Sequence, residues 1–144
     1  MTAYVLDASV AAKWVLPVKN EPLAGEAIRL LDGFGKGEIN LSVPDLFWPE
    51  IGNILWRSAR LGRIAERSAH EAIAWFQALG IPTSPTRKLL GDAIAIALGF
   101  DRTVYDALYV ALAVASGRCF ITADERLVNA VGIHFPVRWL GALV

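Results

Sequence analysis

Hydrophobic residues along the chain form short uniform runs that alternate with longer stretches, in which they recur at helical spacing. Short apolar runs are typical of buried strands, and the longer periodic stretches are typical of helices. The pattern predicts strands at positions 3–6, 39–43, 81–84, 118–121 and 137–140. It predicts helices at positions 9–16, 22–34, 45–62, 68–79, 86–99, 104–113 and 125–131.

The alternation of these strands and helices predicts an α/β fold, in which helices cover both faces of a mostly parallel sheet. The chain has 144 residues, which is enough for one domain with one core, and no internal repeat or linker interrupts it. We therefore predict a single domain over positions 1–144. Right-handed crossovers between the strands are expected to bring their ends to one edge of the sheet.

The predicted helix at 104–113 is apolar on nearly every face, so it is expected to be buried. It nevertheless contains Asp106 near its start, and burying a carboxylate is costly unless something pairs with it. Thr103 and Asp106 match the pattern of a helix N-terminal capping box, in which the carboxylate bonds back to the Thr103 amide. A divalent metal ion is the other candidate partner. The two roles are compatible because a carboxylate has several acceptor sites.

Three further acids are expected close to Asp106. Asp7 and Asp124 each follow a predicted strand and precede a helix, and ligand-binding residues gather at such junctions in open α/β sheets. Asp7 could instead simply cap its helix, and Glu50, near another helix start, could simply complement a helix dipole. Four converging carboxylates cannot all stay ionised without a cation, and oxygen ligands favour Mg²⁺ or Mn²⁺.

The composition is rich in hydrophobic residues, at 55%, and poor in charged residues, at 19%. This excess predicts an exposed apolar surface for a partner or a second copy of the chain. No apolar run is long enough to cross a bilayer, and the single cysteine, Cys119, predicts a cytoplasmic protein without disulfides. Basic and acidic residues number 14 each, so net charge gives no sign of nucleic-acid binding.

A local cluster of basic residues surrounds the predicted turn between the third and fourth helices, and its members are Arg57, Arg60, Arg63 and Arg67. Such clusters are commonly solvated surface, and the neighbouring Glu66 dilutes the charge here. Arginine also presents a planar fork that suits phosphate groups. The cluster could therefore be either solvated surface or a contact for a phosphate-bearing ligand.

Four segments, each with one of the acids, form a recognisable set: Val5-Leu6-Asp7-Ala8-Ser9-Val10, Pro49-Glu50 with Asn53, Tyr105-Asp106-Ala107-Leu108-Tyr109-Val110-Ala111-Leu112-Ala113 and Ile121-Thr122-Ala123-Asp124-Glu125-Arg126-Leu127. Together they resemble the PIN-domain ribonucleases, and more narrowly the toxin members of bacterial VapBC toxin–antitoxin pairs. The resemblance spans the chain, with all four acids in family order.

The resemblance implies a three-layer α/β/α fold and a Mg²⁺- or Mn²⁺-dependent endoribonuclease that hydrolyses RNA with a metal-activated water. It also implies a homodimer neutralised by a cognate VapB-type antitoxin. The catalytic metal ligands carried over from the family motif are Asp7, Glu50, Asp106 and Asp124. Supporting polar roles are expected for Ser9, Asn53 and Thr122. Further contacts to RNA are expected from Lys13, Arg57, Arg60, Arg63 and Arg87.

Two other interpretations of the acids stay open. A Mg²⁺-dependent phosphatase could use Asp7 as its nucleophile, although such enzymes usually need a second Asp two positions later, where this chain has Ser9. A catalytically inactive PIN-like module would only bind a partner, and its acids would serve as helix caps. The intact set of four acids argues against this second alternative.

Overall fold

The computed structural model describes residues 2–143, in which five parallel strands form one sheet. The strands are β1 (Thr2–Leu6), β2 (Ile39–Pro44), β3 (Thr83–Ser84), β4 (Cys119–Thr122) and β5 (Val137–Trp139). The helices are α1 (Ala8–Ala11), α2 (Ala24–Gly35), α3 (Phe47–Arg60), α4 (Glu66–Ala78), α5 (Leu90–Phe100), α6 (Val104–Ser116) and α7 (Glu125–Val131). The strand order is β3-β2-β1-β4-β5, which confirms the predicted α/β class.

Strand β1 lies at the centre of the sheet, between β2 and β4, and its side chains alternate between two hydrophobic clusters. Tyr4 and Leu6 pack into the cluster that includes α2, α3 and α4, whereas Val5 packs against α6 on the opposite face. Successive side chains of a strand point to opposite faces, so helices cover both sides of β1. The result is the predicted three-layer α/β/α arrangement.

The boundaries of three elements differ from those predicted. The helix predicted at 9–16 is only a short α1 followed by a 3₁₀ turn at Ala12–Trp14, before Pro17. The strand predicted at 81–84 shrinks to β3 at the edge of the sheet, because Pro82 and Pro85 have no amide hydrogen to donate. The helix predicted at 86–99 opens with a 3₁₀ turn at Arg87–Leu89.

One predicted core position on α5 was wrong, since Leu90 is 42% exposed. Helix α5 packs against α6 through the small residues Ala93 and Ala97, which are four residues apart and share one face. Leu90 belongs to a different row with Ile94 and Leu98, and this row is exposed to solvent. Composition alone did not show which of the two apolar faces is buried.

Helix α6 confirms the expectation of a buried apolar helix over most of its length, because every residue from 107 to 113 is buried. Its exposed positions are at the two ends, where Tyr105 and Val114 are more than half exposed. The helix ends at Gly117, whose left-handed backbone suits glycine. Among residues 2–143, every helix is too short or too polar to cross a membrane.

Candidate functional site

Asp7 immediately follows β1, at the carboxyl edge of the sheet centre, and its side chain is held by two hydroxyl groups. The hydroxyls of Ser9 and Thr122 donate hydrogen bonds of 2.9 and 2.6 Å to Asp7 Oδ2. The backbone amide of Ser9 donates to Asp7 Oδ1, so the carboxylate also caps α1. The N-cap interpretation of Asp7 is therefore confirmed, and the cap leaves lone pairs on Oδ1 for another ligand.

Asp124 occupies the equivalent junction after β4, as predicted from its position between a strand and a helix. Its Oδ1 accepts a hydrogen bond of 3.2 Å from the amide of Leu127 and thereby caps α7. Its own amide donates to the hydroxyl of Thr122, at 3.1 Å. Thr122 is fully buried and joins Asp7 and Asp124 through a single oxygen atom.

Glu50 lies in the first turn of α3 and is held from α6. The hydroxyl of Tyr109 donates a hydrogen bond of 2.6 Å to Glu50 Oε1. Burial, foremost, and the charges of Asp7 and Glu50 raise the pKa of Tyr109 far above its ordinary value, so the hydroxyl stays protonated and remains a donor. Sequence reasoning assigned Tyr109 no polar role. The available signal was its spacing, because a residue three positions after Asp106 shares that helix face.

Asp106 lies in the first turn of α6, where its backbone amide donates to Thr103 Oγ1 at 3.1 Å. This is one half of the predicted capping box. The described hydrogen bonds do not include the other half, from the Thr103 amide to the Asp106 carboxylate. The nearby guanidinium of Arg102 lowers the pKa of Asp106 and offsets part of the rise caused by burial and by Asp124. Sequence reasoning missed Arg102, although a cation four residues before an acid was visible.

The acids influence one another electrostatically. Burial is the largest cause of a raised pKa at Asp7, Glu50 and Asp106. The charge of Asp106 adds to the rise at Asp7, and both of these charges add to the rise at Glu50. The charge of Asp124 adds to the rise at Asp106. The four carboxylates therefore repel one another, and no ion pair described within residues 2–143 joins any of them to lysine or arginine.

The chemistry of this donor set fits a hard divalent cation, because all four side chains offer carboxylate oxygens and their repulsion is relieved by positive charge. The geometry is more open than a finished metal site. Within residues 2–143, no three His, Cys, Asp or Glu side chains are grouped closely enough to hold an ion as they stand. Closing around a cation therefore requires the carboxylates to converge further.

The three supporting residues occupy different positions. Ser9 and Thr122 both bond to Asp7, within the network of acids. Asn53 is exposed one turn after Glu50 on α3 and lines a surface cleft beside it. Tyr105, from the start of α6, lines the same cleft. The cleft therefore runs between the two helices that present Glu50 and Asp106.

The basic residues expected to contact RNA are spread over several elements. Lys13 is 6% exposed, and its ammonium group pairs with Glu21 at 3.4 Å, so it is not a free surface cation. Arg60 lies over the ring of Trp56, with 5.4 Å from the guanidinium carbon to the ring centroid. Arg60 begins the far end of α3, about 15 Å from Glu50 by helical rise. Three other predicted contacts are exposed: Arg57, Arg63 and Arg87.

The model of the PIN domain family matches residues 4–132 of the chain, a span that includes all four acids. The chain therefore belongs to the PIN-domain family. Membership of this family leaves the phosphatase interpretation of Asp7 without support.

Two curated relatives narrow the similarity to proteins of the VapC type, and both are from Pyrobaculum aerophilum. Ribonuclease VapC3 is 35% identical over 127 residues, which cover 85% of this chain and 90% of that protein. Exonuclease VapC9 is 32% identical over 100 residues, which cover 67% of this chain and 71% of that protein.

Solved structures support the same fold. PAE2754 from Pyrobaculum aerophilum is 25% identical and has a TM-score of 0.72, with 99% of this chain and 92% of that chain covered. VapC20 from Mycobacterium tuberculosis, described as a sarcin–ricin loop cleaving toxin, has a TM-score of 0.67. It is 18% identical, and the match covers 89% of this chain and 95% of that one, so it bears on the fold alone.

Proposed function

We propose that the chain is a Mg²⁺- or Mn²⁺-dependent endoribonuclease and the toxin of a type II toxin–antitoxin module. The observation that supports this most strongly is the set of four mutually repelling carboxylates at the carboxyl edge of the sheet, which ion pairs described within residues 2–143 leave without a cationic partner. The similarity to Ribonuclease VapC3 and Exonuclease VapC9 supports a nuclease.

In this proposal the metal ligands are Asp7, Glu50, Asp106 and Asp124, and their surroundings keep them ready for a cation. Thr122 and Ser9 fix the orientation of Asp7 by occupying Oδ2. A bound divalent cation neutralises charge at the scissile phosphate and lowers the pKa of the attacking water. Asn53 lies in the cleft beside Glu50, where its amide can bind a phosphate or ribose oxygen of RNA.

Exposed arginines supply the proposed contacts to the RNA backbone. Arg57, Arg60 and Arg63 lie together at the end of α3 and the turn that follows it, and Arg87 lies in the turn before α5. Guanidinium groups bind phosphate in a planar, bidentate manner. Lys13 is the weakest member of the proposed set, since binding RNA would require it to leave Glu21 and the protein interior.

A cognate VapB-type antitoxin is the proposed protein partner. Two solved structures with the same fold are described as a toxin–antitoxin complex from Klebsiella pneumoniae and as VapBC2 from Rickettsia felis bound to promoter DNA. A small reading frame next to this gene should encode a protein that co-purifies with the chain and blocks its RNA cleavage. Failure of every neighbouring product to bind would contradict this part of the proposal.

A homodimer is also proposed, and it is supported by the exposed apolar row on α5. Leu90, Ile94 and Leu98 are 42, 49 and 81% exposed and lie four residues apart on one face of the helix. A second copy of the chain would bury this row. Sedimentation equilibrium tests the proposal directly: a protein that stays monomeric at high concentration would contradict it. A cytoplasmic location stays a prediction.

The experiment that tests the nuclease proposal is cleavage of RNA by the purified chain, with added Mn²⁺, with EDTA, and with Mn²⁺ restored after EDTA. Cleavage that disappears with the chelator and returns with the metal supports the proposal. Cleavage that ignores the chelator contradicts the metal role.

The second candidate function is a PIN-like module that binds a partner without catalysis. The observation in its favour is that Asp7 and Asp124 do cap α1 and α7, as that interpretation predicted. It does not account for Glu50 and Asp106, whose raised pKa values mark a cost that capping does not relieve. The absence of cleavage of any RNA, with any divalent metal, would favour it.

A further inference from the structure

Tyr109 reaches from the core to the proposed metal ligands. Its hydroxyl donates a hydrogen bond of 2.6 Å to Glu50 Oε1, between residues 59 positions apart in sequence. Hydrogen bonds to a carboxylate are short and strong because the acceptor is charged. The bond joins α6, which presents Asp106, to α3, which presents Glu50. It therefore connects two of the acids through one rigid helix.

The ring of Tyr109 is held firmly, so its hydroxyl is a fixed point. The residue is 2% exposed and stacks on Phe120, with 4.9 Å between ring centroids and 14° between planes. Phe120 lies on β4, two residues before Thr122, and both aromatic residues belong to the cluster that packs on Val5. The hydroxyl position is thus set by the sheet itself.

Glu50, by contrast, has a flexible side chain that is only partly buried. The hydrogen bonds described for residues 2–143 give its carboxylate one partner, the Tyr109 hydroxyl, which occupies Oε1. Oε2 has no partner among them. A glutamate loses considerable rotamer freedom when it is fixed, and a donor in place before the ligand arrives removes part of that cost from binding.

We propose that Tyr109 is a positioning residue, whose hydroxyl holds Glu50 through Oε1 so that Oε2 is presented to a divalent cation shared with Asp106. The inference rests on the proposed function, since it assigns Glu50 as a metal ligand. It assigns Tyr109 no contact with metal or RNA. Partners that orient metal ligands in this way commonly change metal affinity by 10–100-fold when removed.

The test compares Tyr109→Phe with the wild-type chain. This substitution keeps the ring and its stacking on Phe120 and removes only the hydroxyl. The matched control is Tyr4→Phe, because Tyr4 is equally buried on β1 but its hydroxyl faces Arg138, at 3.5 Å. Mn²⁺ binding is measured on each purified protein by the electron paramagnetic resonance signal of free Mn²⁺, and cleavage is measured across a Mn²⁺ titration.

Tyr109→Phe is expected to weaken Mn²⁺ binding by about 10-fold, with cleavage recovered at higher Mn²⁺ concentration. Tyr4→Phe should bind Mn²⁺ and cleave RNA as the wild type does. Unchanged Mn²⁺ affinity and an unchanged metal dependence of cleavage in Tyr109→Phe would overturn the proposal. A loss of cleavage that no Mn²⁺ concentration restores, with wild-type Mn²⁺ affinity, would overturn it as well.

A double-substitution cycle with Glu50→Gln separates positioning from a general effect on the fold. If Tyr109 acts through Glu50, adding Tyr109→Phe to Glu50→Gln should cost no further Mn²⁺ affinity. An additional 10-fold loss would overturn the proposal, because the hydroxyl would then act elsewhere. If the wild-type chain itself binds no Mn²⁺, the proposed function fails and this inference fails with it. If Glu50→Gln alone weakens binding while Tyr109→Phe does not, only this inference fails.

Discussion

The Thr122 hydroxyl donates a hydrogen bond of 2.6 Å to Asp7 Oδ2, across 115 residues of sequence. The same oxygen accepts from the amide of Asp124, at 3.1 Å. Thr122 can make both contacts because β4 pairs with β1 in parallel register, which aligns Leu6 with Ile121. One buried hydroxyl therefore fixes the spacing of the two acids that follow neighbouring strands.

Thr122→Val tests this relationship, because valine has the same shape and no hydroxyl. The variant leaves the Asp124 amide and one Asp7 oxygen without their partner in a buried site, which is expected to cost about 1–3 kcal/mol of the free energy of unfolding. Urea denaturation measures this cost. RNA cleavage should fall with it, because Asp7 loses its orientation. Thr122→Ser keeps the hydroxyl and should keep most of the cleavage. A valine variant as stable and as active as the wild type would refute the role.

The repulsion among the acids makes a prediction about pH in metal-free protein. The folded state raises the pKa of Asp7, Glu50 and Asp106 above their ordinary values, which are 3.8 for Asp and 4.5 for Glu. Above those values the unfolded chain has lost protons that the folded chain still holds, so the free energy of unfolding falls as pH rises. In EDTA, the melting temperature should therefore rise as pH is lowered from neutral towards 5. Added Mn²⁺ should raise it most at neutral pH.

Asp106→Asn provides the matched variant for the pH experiment. It removes one charge from the cluster and leaves the Thr103 cap on the backbone amide intact. Its melting temperature in EDTA at neutral pH should equal or exceed that of the wild type and should vary less with pH. Asp92→Asn, at an exposed position on α5, is the control and should leave the pH dependence unchanged. A wild-type melting temperature that falls on acidification towards pH 5 would contradict the account.

The arginines at the end of α3 are predicted to act on RNA binding rather than on chemistry. Charge reversal of Arg57 and Arg63 together should weaken RNA binding and flatten its dependence on salt, with about 0.7 lost from the logarithmic slope per phosphate contact to single-stranded RNA. Filter binding across salt concentrations measures both quantities. Arg29→Glu, an exposed reversal on α2, is the control. If the slope stays unchanged in the Arg57 and Arg63 variant, these residues are only solvated surface.

Local sequence patterns were sufficient to predict the sheet and the position of the acids on it. Asp7 and Asp124 were visible at strand-to-helix junctions, and the limits of α7 were predicted correctly because Asp124 marks its start. Thr103 marked the start of α6 in the same way. Such caps are short-range interactions, so the sequence within a few residues is enough to reveal them.

Contacts between distant segments were what the sequence did not reveal. Tyr109 looked like one more apolar residue of a buried helix, and its bond to Glu50 depends on how α6 crosses the sheet. Lys13 looked like a surface cation, but the chain after α1 folds back and pairs it with Glu21. The exposure of Leu90 depends on which face of α5 packs on α6, and both faces are apolar.

The most direct test of the central claim is RNA cleavage in Mn²⁺ by the wild-type chain, by Asp106→Asn and by the control Asp92→Asn. The account predicts a folded Asp106→Asn protein whose cleavage is abolished, together with wild-type cleavage by Asp92→Asn. Cleavage by Asp106→Asn at the wild-type rate would contradict it, because Asp106 would then be only a residue in the first turn of a structural helix.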